Sequence, residues 1–341
     1  MKAAVVEEAG RLSIRELPEP SFGEYQARCR LLYGTVCAGT DGHLLRGDPP
    51  FCYWTKRPFV IGHESVDQVV ETGRRVRYLK PGDLVTRVGT PAVGGVHSTW
   101  GGFAEVGLAT DWRAMEEDQA PGWDDPSLRV QQVLPPDVDP MVAPLFITWR
   151  ETLSYLTRMG VSPHRSVLVI GSGGNGLAFV SHARNLGASP VVLVGSSQRM
   201  ETGRQAGATV VFDYRAPKVW DQVRSVVPDG FDFVVDAVGK ASNVAEGQRC
   251  LKPGGTIGIY GLDECGTITL APGRTFTYYG GGYDEAETHE AVLAFYRAGR
   301  LDPGVWIDRR EIFPLTDLAA AFEAVRSRRL VKPLVRLAAT S

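Results

Sequence analysis

Along residues 1 to 110, short apolar segments alternate with turns bearing glycine and proline: Ala3–Val6, Leu12–Ile14, Ala27–Leu32, Val66–Val70, Leu84–Val88 and Phe103–Val106. Segments this short, punctuated by turns such as Leu79-Lys80-Pro81-Gly82-Asp83, predict β-strands. Residues 111 to 130, rich in acids and carrying Pro121-Gly122 and Pro126, predict an exposed loop, and a helix is expected from about Pro140 to Gly160. The pattern then changes. Val167-Leu168-Val169-Ile170 is too short and too β-branched for a helix and reads as a strand buried on both faces. A helical run (Leu177, Phe179, Val180, Ala183, Leu186) ends at Gly187, and Val191–Val194 is a second buried strand. The α/β rhythm continues through a helix near Gln198–Gln205, a strand at Thr209–Phe212, a helix at Pro217–Val226 and strands at Phe231–Val235 and Thr256–Tyr260. Helices around Ala291, Val292, Phe295 and Tyr296 and around Leu318, Ala321, Phe322 and Val325 precede a last strand, Leu334–Leu337. Two rhythms predict two domains, a doubly wound α/β unit over residues 142–284 inserted into a β-rich unit of residues 1–141 and 285–341.

Directly after the first buried strand stands Gly171-Ser172-Gly173-Gly174-Asn175-Gly176, a G-x-G-x-x-G. With strand, glycine turn, helix and strand in about thirty residues, this is the βαβ unit that binds a dinucleotide in a Rossmann domain. Gly171 makes the tight turn, Gly173 admits the pyrophosphate and Gly176 lets the helix pack on the strand, while the helix N-terminus offers N–H groups to the phosphates. At the end of the second strand an Asp or Glu would hold the ribose 2′-OH and repel a 2′-phosphate. Here the residues are Gly195-Ser196-Ser197-Gln198-Arg199, with no acid. The expectation is NADP over NAD, with Arg199 or Arg204 pairing the phosphate; a solvated turn with surface arginines is the plain alternative. Asp236-Ala237-Val238-Gly239 ends a later strand, where loops of a doubly wound sheet reach the ligand crevice.

The 341 residues suffice for two cores, and 37 basic against 39 acidic residues give a formal net charge of −2, which argues against a nucleic-acid or anionic-membrane partner. Apolar runs fall short of the ~20 residues that span a bilayer, and MKAAVVEEAG carries acids where a signal peptide needs an apolar core. Five cysteines (29, 37, 52, 250 and 265) with no C-x-x-C point to reduced thiols and a cytoplasmic setting.

Cys37-Ala38-Gly39-Thr40-Asp41-Gly42-His43 and Gly62-His63-Glu64 supply thiolate, imidazole and carboxylate, the donors a catalytic zinc takes together with an open water position. Singly, each reads as an ordinary core residue; the combination with a dinucleotide turn points to metal chemistry. Together with Gly101-Gly102-Phe103-Ala104-Glu105-Val106, Asp236-Ala237-Val238-Gly239 and Leu251-Lys252-Pro253-Gly254-Gly255 in this order, these segments make the chain resemble, over essentially its full length, the zinc-dependent medium-chain dehydrogenase/reductase family in its alcohol, polyol and glucose dehydrogenase branch. The resemblance implies a GroES-like catalytic domain around the Rossmann domain. It implies zinc ligands at Cys37 and His63, with Glu64 a third ligand or a neighbouring carboxylate. Asp41 would fix the tautomer of the zinc histidine, and Thr40 and His43 would relay the alcohol proton outward through the cofactor ribose. Gly195-Ser196 resembles the Gly-Ser start of the G-S-R in NADP-using secondary alcohol dehydrogenases. Tyr214 stands where those enzymes place an aromatic near the adenine, although a buried strand-end tyrosine explains it almost as well. The expected cofactor contacts are Gly171, Gly173, Gly174, Asn175, Gly176, Gly195, Ser196, Ser197, Arg199, Tyr214, Ala237 and Val238.

Four departures from the family pattern stand out. Ala38 is an extra residue in the usual C-G-T-D spacing, Asp67 replaces a glycine after G-H-E, and Ala143-Pro144-Leu145 replaces the Glu-Pro-Leu that gives another zinc contact. Gly89–Trp100 lacks the cysteines of a structural zinc lobe, so one catalytic zinc and no structural zinc is expected. The expected activity moves a hydride between the CH–OH of an alcohol, polyol or sugar and the nicotinamide. The alternatives are a zinc-free NADPH quinone or enone reductase of the same fold and a non-catalytic NADP-binding sensor. Phe51, Tyr53, Trp54, His97 and Trp100 lie in loops that line the pocket or pack locally, and family analogy implies a homodimer or homotetramer.

Overall fold

The computed structural model describes residues 1–264 and 275–338. The chain divides into two compact units, residues 1–147 with 306–341 and residues 148–305. The sequence pattern placed the second division near residue 285. Helix His289–Arg297 carries it further along, because Tyr296 stacks on Trp149 and Phe295 on His182, both within the second unit.

In the first unit, a four-stranded sheet orders Arg11–Glu16, Lys2–Glu8, Phe59–Val60 and His97–Ser98. A seven-stranded sheet runs Ile312–Pro314, Leu334–Arg336, Gln26–Thr35, Ser65–Thr72, Leu84–Thr86 and Val133–Leu134, with Val106–Thr110 also paired to Gln26–Thr35. The alternating buried and half-exposed residues of Gln26–Thr35 are those of a strand with one face in a core. The C-terminal strand Leu334–Arg336 pairs antiparallel with it, Leu334 opposite Thr35. Two sequence expectations shift here. The predicted strand at Phe103–Val106 falls on Val106–Thr110; Phe103 is a core residue beside it, its ring against Gly34 and Gly62. The loop expected over 111–130 contains a helix, Trp112–Glu117, and a 3-10 segment, Pro126–Val130. Asp111 explains the helix. Buried, it accepts from the Ala114 amide at 3.1 Å and from the Arg77 and Tyr78 amides at 2.7 Å, capping the helix and tying it to the neighbouring turn.

The second unit is an all-parallel sheet of six strands in the order Val210–Asp213, Val191–Gly195, Val167–Ile170, Phe231–Asp236, Leu251–Ile259, Thr277–Tyr279. Numbered within the unit, that is 3-2-1-4-5-6, the doubly wound dinucleotide-binding order. Val167–Ile170 is wholly buried because helices cover both faces. Strand order reverses between Val167–Ile170 and Phe231–Asp236, whose Ile170 and Asp236 lie side by side. The glycine turn and the Asp236–Gly239 turn therefore meet at the switch point, where such sheets bind ligands. Cys265 lies outside the described residues; Cys29, Cys37 and Cys52 are free thiols. Among the described residues, no helix is long and apolar enough to cross a membrane.

Candidate functional site

One carboxylate organises the metal-ligand cluster of the first unit. Asp41, fully buried at the start of helix Thr40–Arg46, accepts the Cys37 amide on Oδ2 at 2.9 Å and sits 2.9 Å from His63 Nδ1 through Oδ1. The ring nitrogen so engaged is the donor to Asp41, which leaves Nε2 for an ion. Ala38 is exposed in the turn between Cys37 and the helix, so the extra residue is absorbed there while the Cys37–Asp41 bond persists. Gly62 delivers His63 from a backbone at φ +102°, and a Cβ on it would lie 2.7 Å from the Phe103 amide nitrogen. Only glycine satisfies both demands. Cys37 Sγ, a His63 ring nitrogen and a Glu64 oxygen lie within 4.8 Å of one another, all buried. Sulfur, imidazole and carboxylate at that spacing fit a zinc ion.

Glu64 is already engaged. Both its oxygens accept from Lys332 Nζ at 2.6 Å, and Oε2 also accepts from Thr35 Oγ1 at 2.6 Å. His63 Nε2 faces Glu64 Oε1 at 3.8 Å. Burial would raise the Glu64 carboxyl, but Lys332, His63 and the hydroxyl hold it down at about 2. Burial likewise opposes a charge on His63, and Asp41 and the Cys37 sulfur outweigh it, raising its pKa well above the usual value. Lys332, 2 % exposed, is a residue the sequence reading missed. Its one signal is a lysine in Val331-Lys332-Pro333, directly before a buried strand. The register of Leu334 opposite Thr35 brings it to Glu64 from 268 positions away.

Thr40 and His43 stand three apart on one helix, hence on one face. His43 is buried, with Nδ1 3.4 Å from the half-exposed Asp48 carboxylate. Phe51, Trp54 and Trp100 gather on the same side as His63, with Trp100 5.6 Å from it, ring to ring. Tyr53 and His97 are exposed and outside this cluster of rings. Asp67 keeps the strand Ser65–Thr72 intact and is buried, with Ser65 Oγ at 3.5 Å and the Val88 main chain as hydrogen-bonding neighbours; burial outweighs them and pushes its pKa well up. Ala143 is buried and offers no ligand atom.

In the second unit, Gly171 has φ +113°, with Val238 Cγ2 2.8 Å from where a Cβ would stand, and Gly176 packs directly on the Gly171 carbonyl. A Cβ on Gly173 would meet nothing, so the helix N-terminus at Gly174-Asn175 opens on free space. That fits a pyrophosphate. Gly195 lies against Ser172, whose Oγ accepts the Ser196 amide at 3.0 Å, and Tyr214 donates its amide to the Gly195 carbonyl at 2.9 Å. Gly195, Ser196 and Tyr214 are thereby gathered beside the glycine turn, with Ser197 and Arg199 in the 3-10 turn that follows. Tyr214 is exposed, under the Arg215 guanidinium, rather than buried at a strand end. Asp236 holds the Ala237–Gly239 turn by accepting the Val238 and Gly239 amides at 3.0 Å, although burial keeps its pKa raised to about 6.

Comparison with known proteins places this geometry. Residues 23–119 match the alcohol dehydrogenase GroES-like domain and residues 174–282 the zinc-binding dehydrogenase domain, together more than half of the chain. The chain belongs to the zinc-dependent medium-chain dehydrogenase/reductase family. It is 26 % identical to an alcohol dehydrogenase of Cupriavidus necator over 96 % of each chain, and 29 % identical to an L-threonine 3-dehydrogenase of Streptomyces coelicolor over 77 % of each. In fold it matches the alcohol dehydrogenase TADH of Thermus sp. ATN1, with a TM-score of 0.81 at 24 % identity over 98 % of this chain and 99 % of that one. The β-rich unit carries the cluster of Cys37, His63 and Glu64, and the parallel-sheet unit carries the Gly171–Gly176 turn.

Proposed function

We propose that this family member is a zinc-dependent, NADP-preferring dehydrogenase of CH–OH groups, acting on an alcohol, polyol or sugar. The observation that carries the reading is the buried cluster of Cys37, His63 and Glu64, with ligand atoms within 4.8 Å. Relatives named as alcohol, L-threonine and sorbitol dehydrogenases support the CH–OH chemistry. When bound, zinc supplies charge stabilisation that lowers an alcohol's pKa, and the nicotinamide takes the hydride.

The protein's own residues then have defined tasks. Cys37 and His63 hold the ion, one carboxylate (Asp41) fixing both. Glu64 stands 3.8 Å from His63 Nε2, its charge shared with Lys332. Thr40 Oγ1 takes the substrate proton and hands its own toward His43, and Asp48, half-exposed beside the imidazole, leads to solvent. Gly195-Ser196-Ser197, without an acid, leaves room for a 2′-phosphate, with Arg199 its cation. One catalytic zinc per chain is expected, and a dimer or tetramer by analogy with relatives.

The test is Cys37→Ser. Turnover of alcohols should fall at least about a thousandfold, and the zinc content should fall with it. The NADP Kd should stay within about threefold. Near wild-type turnover in zinc-free Cys37→Ser protein would exclude the reading in favour of a zinc-free reductase, and an equal or higher kcat/KM with NAD would remove the NADP preference.

A further inference from the structure

Trp100 has φ 61°, a region a bulky side chain enters only where its surroundings impose it. That conformation lays the indole against His63, with ring centroids 5.6 Å apart. Arg87, itself at φ 63°, stands over the indole at 6.0 Å and donates to the His63 carbonyl at 3.1 Å. On its other side Trp100 meets Trp54 edge-on at 5.8 Å and Phe51 at 6.2 Å, and Phe51 in turn lies 6.5 Å from the His43 ring. A continuous line of rings thus runs from the proton-carrying histidine to the ligand histidine. Core packing accounts for Phe51, which is buried, but not for the two tryptophans. Trp54 is 54 % and Trp100 40 % exposed, so backbone strain maintains an apolar surface that folding leaves open beside the reactive residues.

We propose that Trp54 and Trp100, backed by the buried Phe51 ring, are the wall on which the substrate body lies, and that they select an alcohol carrying an aromatic or similarly flat apolar group next to the carbinol carbon. This rests on the dehydrogenase reading above. A flat ring gains area and edge-to-face contact from such a wall. A polyol or sugar loses the hydration of its hydroxyls against carbon faces that return no hydrogen bond.

The experiment measures kcat/KM for 1-phenylethanol, 2-propanol and sorbitol with NADP, in wild type, Trp54→Ala and Trp100→Gly. Glycine adopts φ 61° without strain, so Trp100→Gly removes the ring and relieves the backbone together. Wild type should favour 1-phenylethanol over sorbitol by at least about tenfold, and each variant should lower the 1-phenylethanol to 2-propanol ratio by at least about tenfold. Titration with 1-phenylethanol should change tryptophan emission in wild type and leave the doubly substituted protein unaffected. An unchanged ratio, or sorbitol used as well as 1-phenylethanol, overturns the wall and leaves the dehydrogenase standing. Intact binding by fluorescence with no turnover of any alcohol does the reverse.

Discussion

His63 and His182 are both buried imidazoles, one in each unit, and their surroundings push them in opposite directions. His63 has Asp41 on one nitrogen, Glu64 across from the other and the Cys37 sulfur nearby, and its proton affinity is raised. His182 lies on helix Gly174–Asn185 beside Phe295. The Trp149 main chain is its hydrogen-bonding neighbour, but burial outweighs that contact and pulls its pKa down to about 3. Burial alone therefore does not make a reactive site. What distinguishes the metal cluster is that Asp41, Glu64 and Lys332 were buried with it, each charge matched by another.

The sharpest way to break that contrast is to remove one matching charge. Lys332→Met should destabilise the zinc-free protein by about 3–5 kcal/mol, the cost of leaving a buried carboxylate without its cation. Adding Glu64→Gln should recover most of the loss. Urea denaturation of the single and double variants checks this; a loss under about 1 kcal/mol in the single variant would mean that water, and not Lys332, balances Glu64.

A smaller effect is expected from the orienting residue. Asp41→Asn keeps the shape but no longer accepts at both oxygens, freeing either the Cys37 amide or the His63 ring. Zinc affinity should fall by about 10–100-fold, or roughly 1.4–2.7 kcal/mol, as read by competition with a chelator. Unchanged affinity would show that the histidine needs no partner to keep its aim.

Much of this was legible in the chain. The glycine turn, the two buried strands around it and the pair of ligand-bearing segments are local patterns, each complete within a few residues, and the family likeness rests on them. Asp41 was legible for the same reason: it stands in the motif it orients. Lys332 was not, because it reaches Glu64 only through the pairing of the last strand with Gln26–Thr35, a long-range event without local trace. The helix at Trp112–Glu117 was missed because Asp111 caps it inside a stretch whose acids and prolines read as loop. Trp100 was recognised as a loop aromatic, but its role depends on a backbone angle that a residue name does not carry.

The last test uses pH on the second unit. His182 in the folded protein titrates near 3, below the 6.5 of a free imidazole, so between those values the unfolded chain binds the proton that the folded one refuses. The stability in question is fully present above pH 6.5 and drains away as pH falls, by about 2 kcal/mol at pH 5. His182→Leu replaces the imidazole with an apolar side chain of similar bulk in an apolar setting, and so should match or exceed wild type at pH 7 and cancel that part of the slope. Urea midpoints of both proteins at pH 7, 6 and 5 decide it. Parallel curves would mean that His182 finds a proton partner in the folded protein, and the contrast with His63 would then be one of degree.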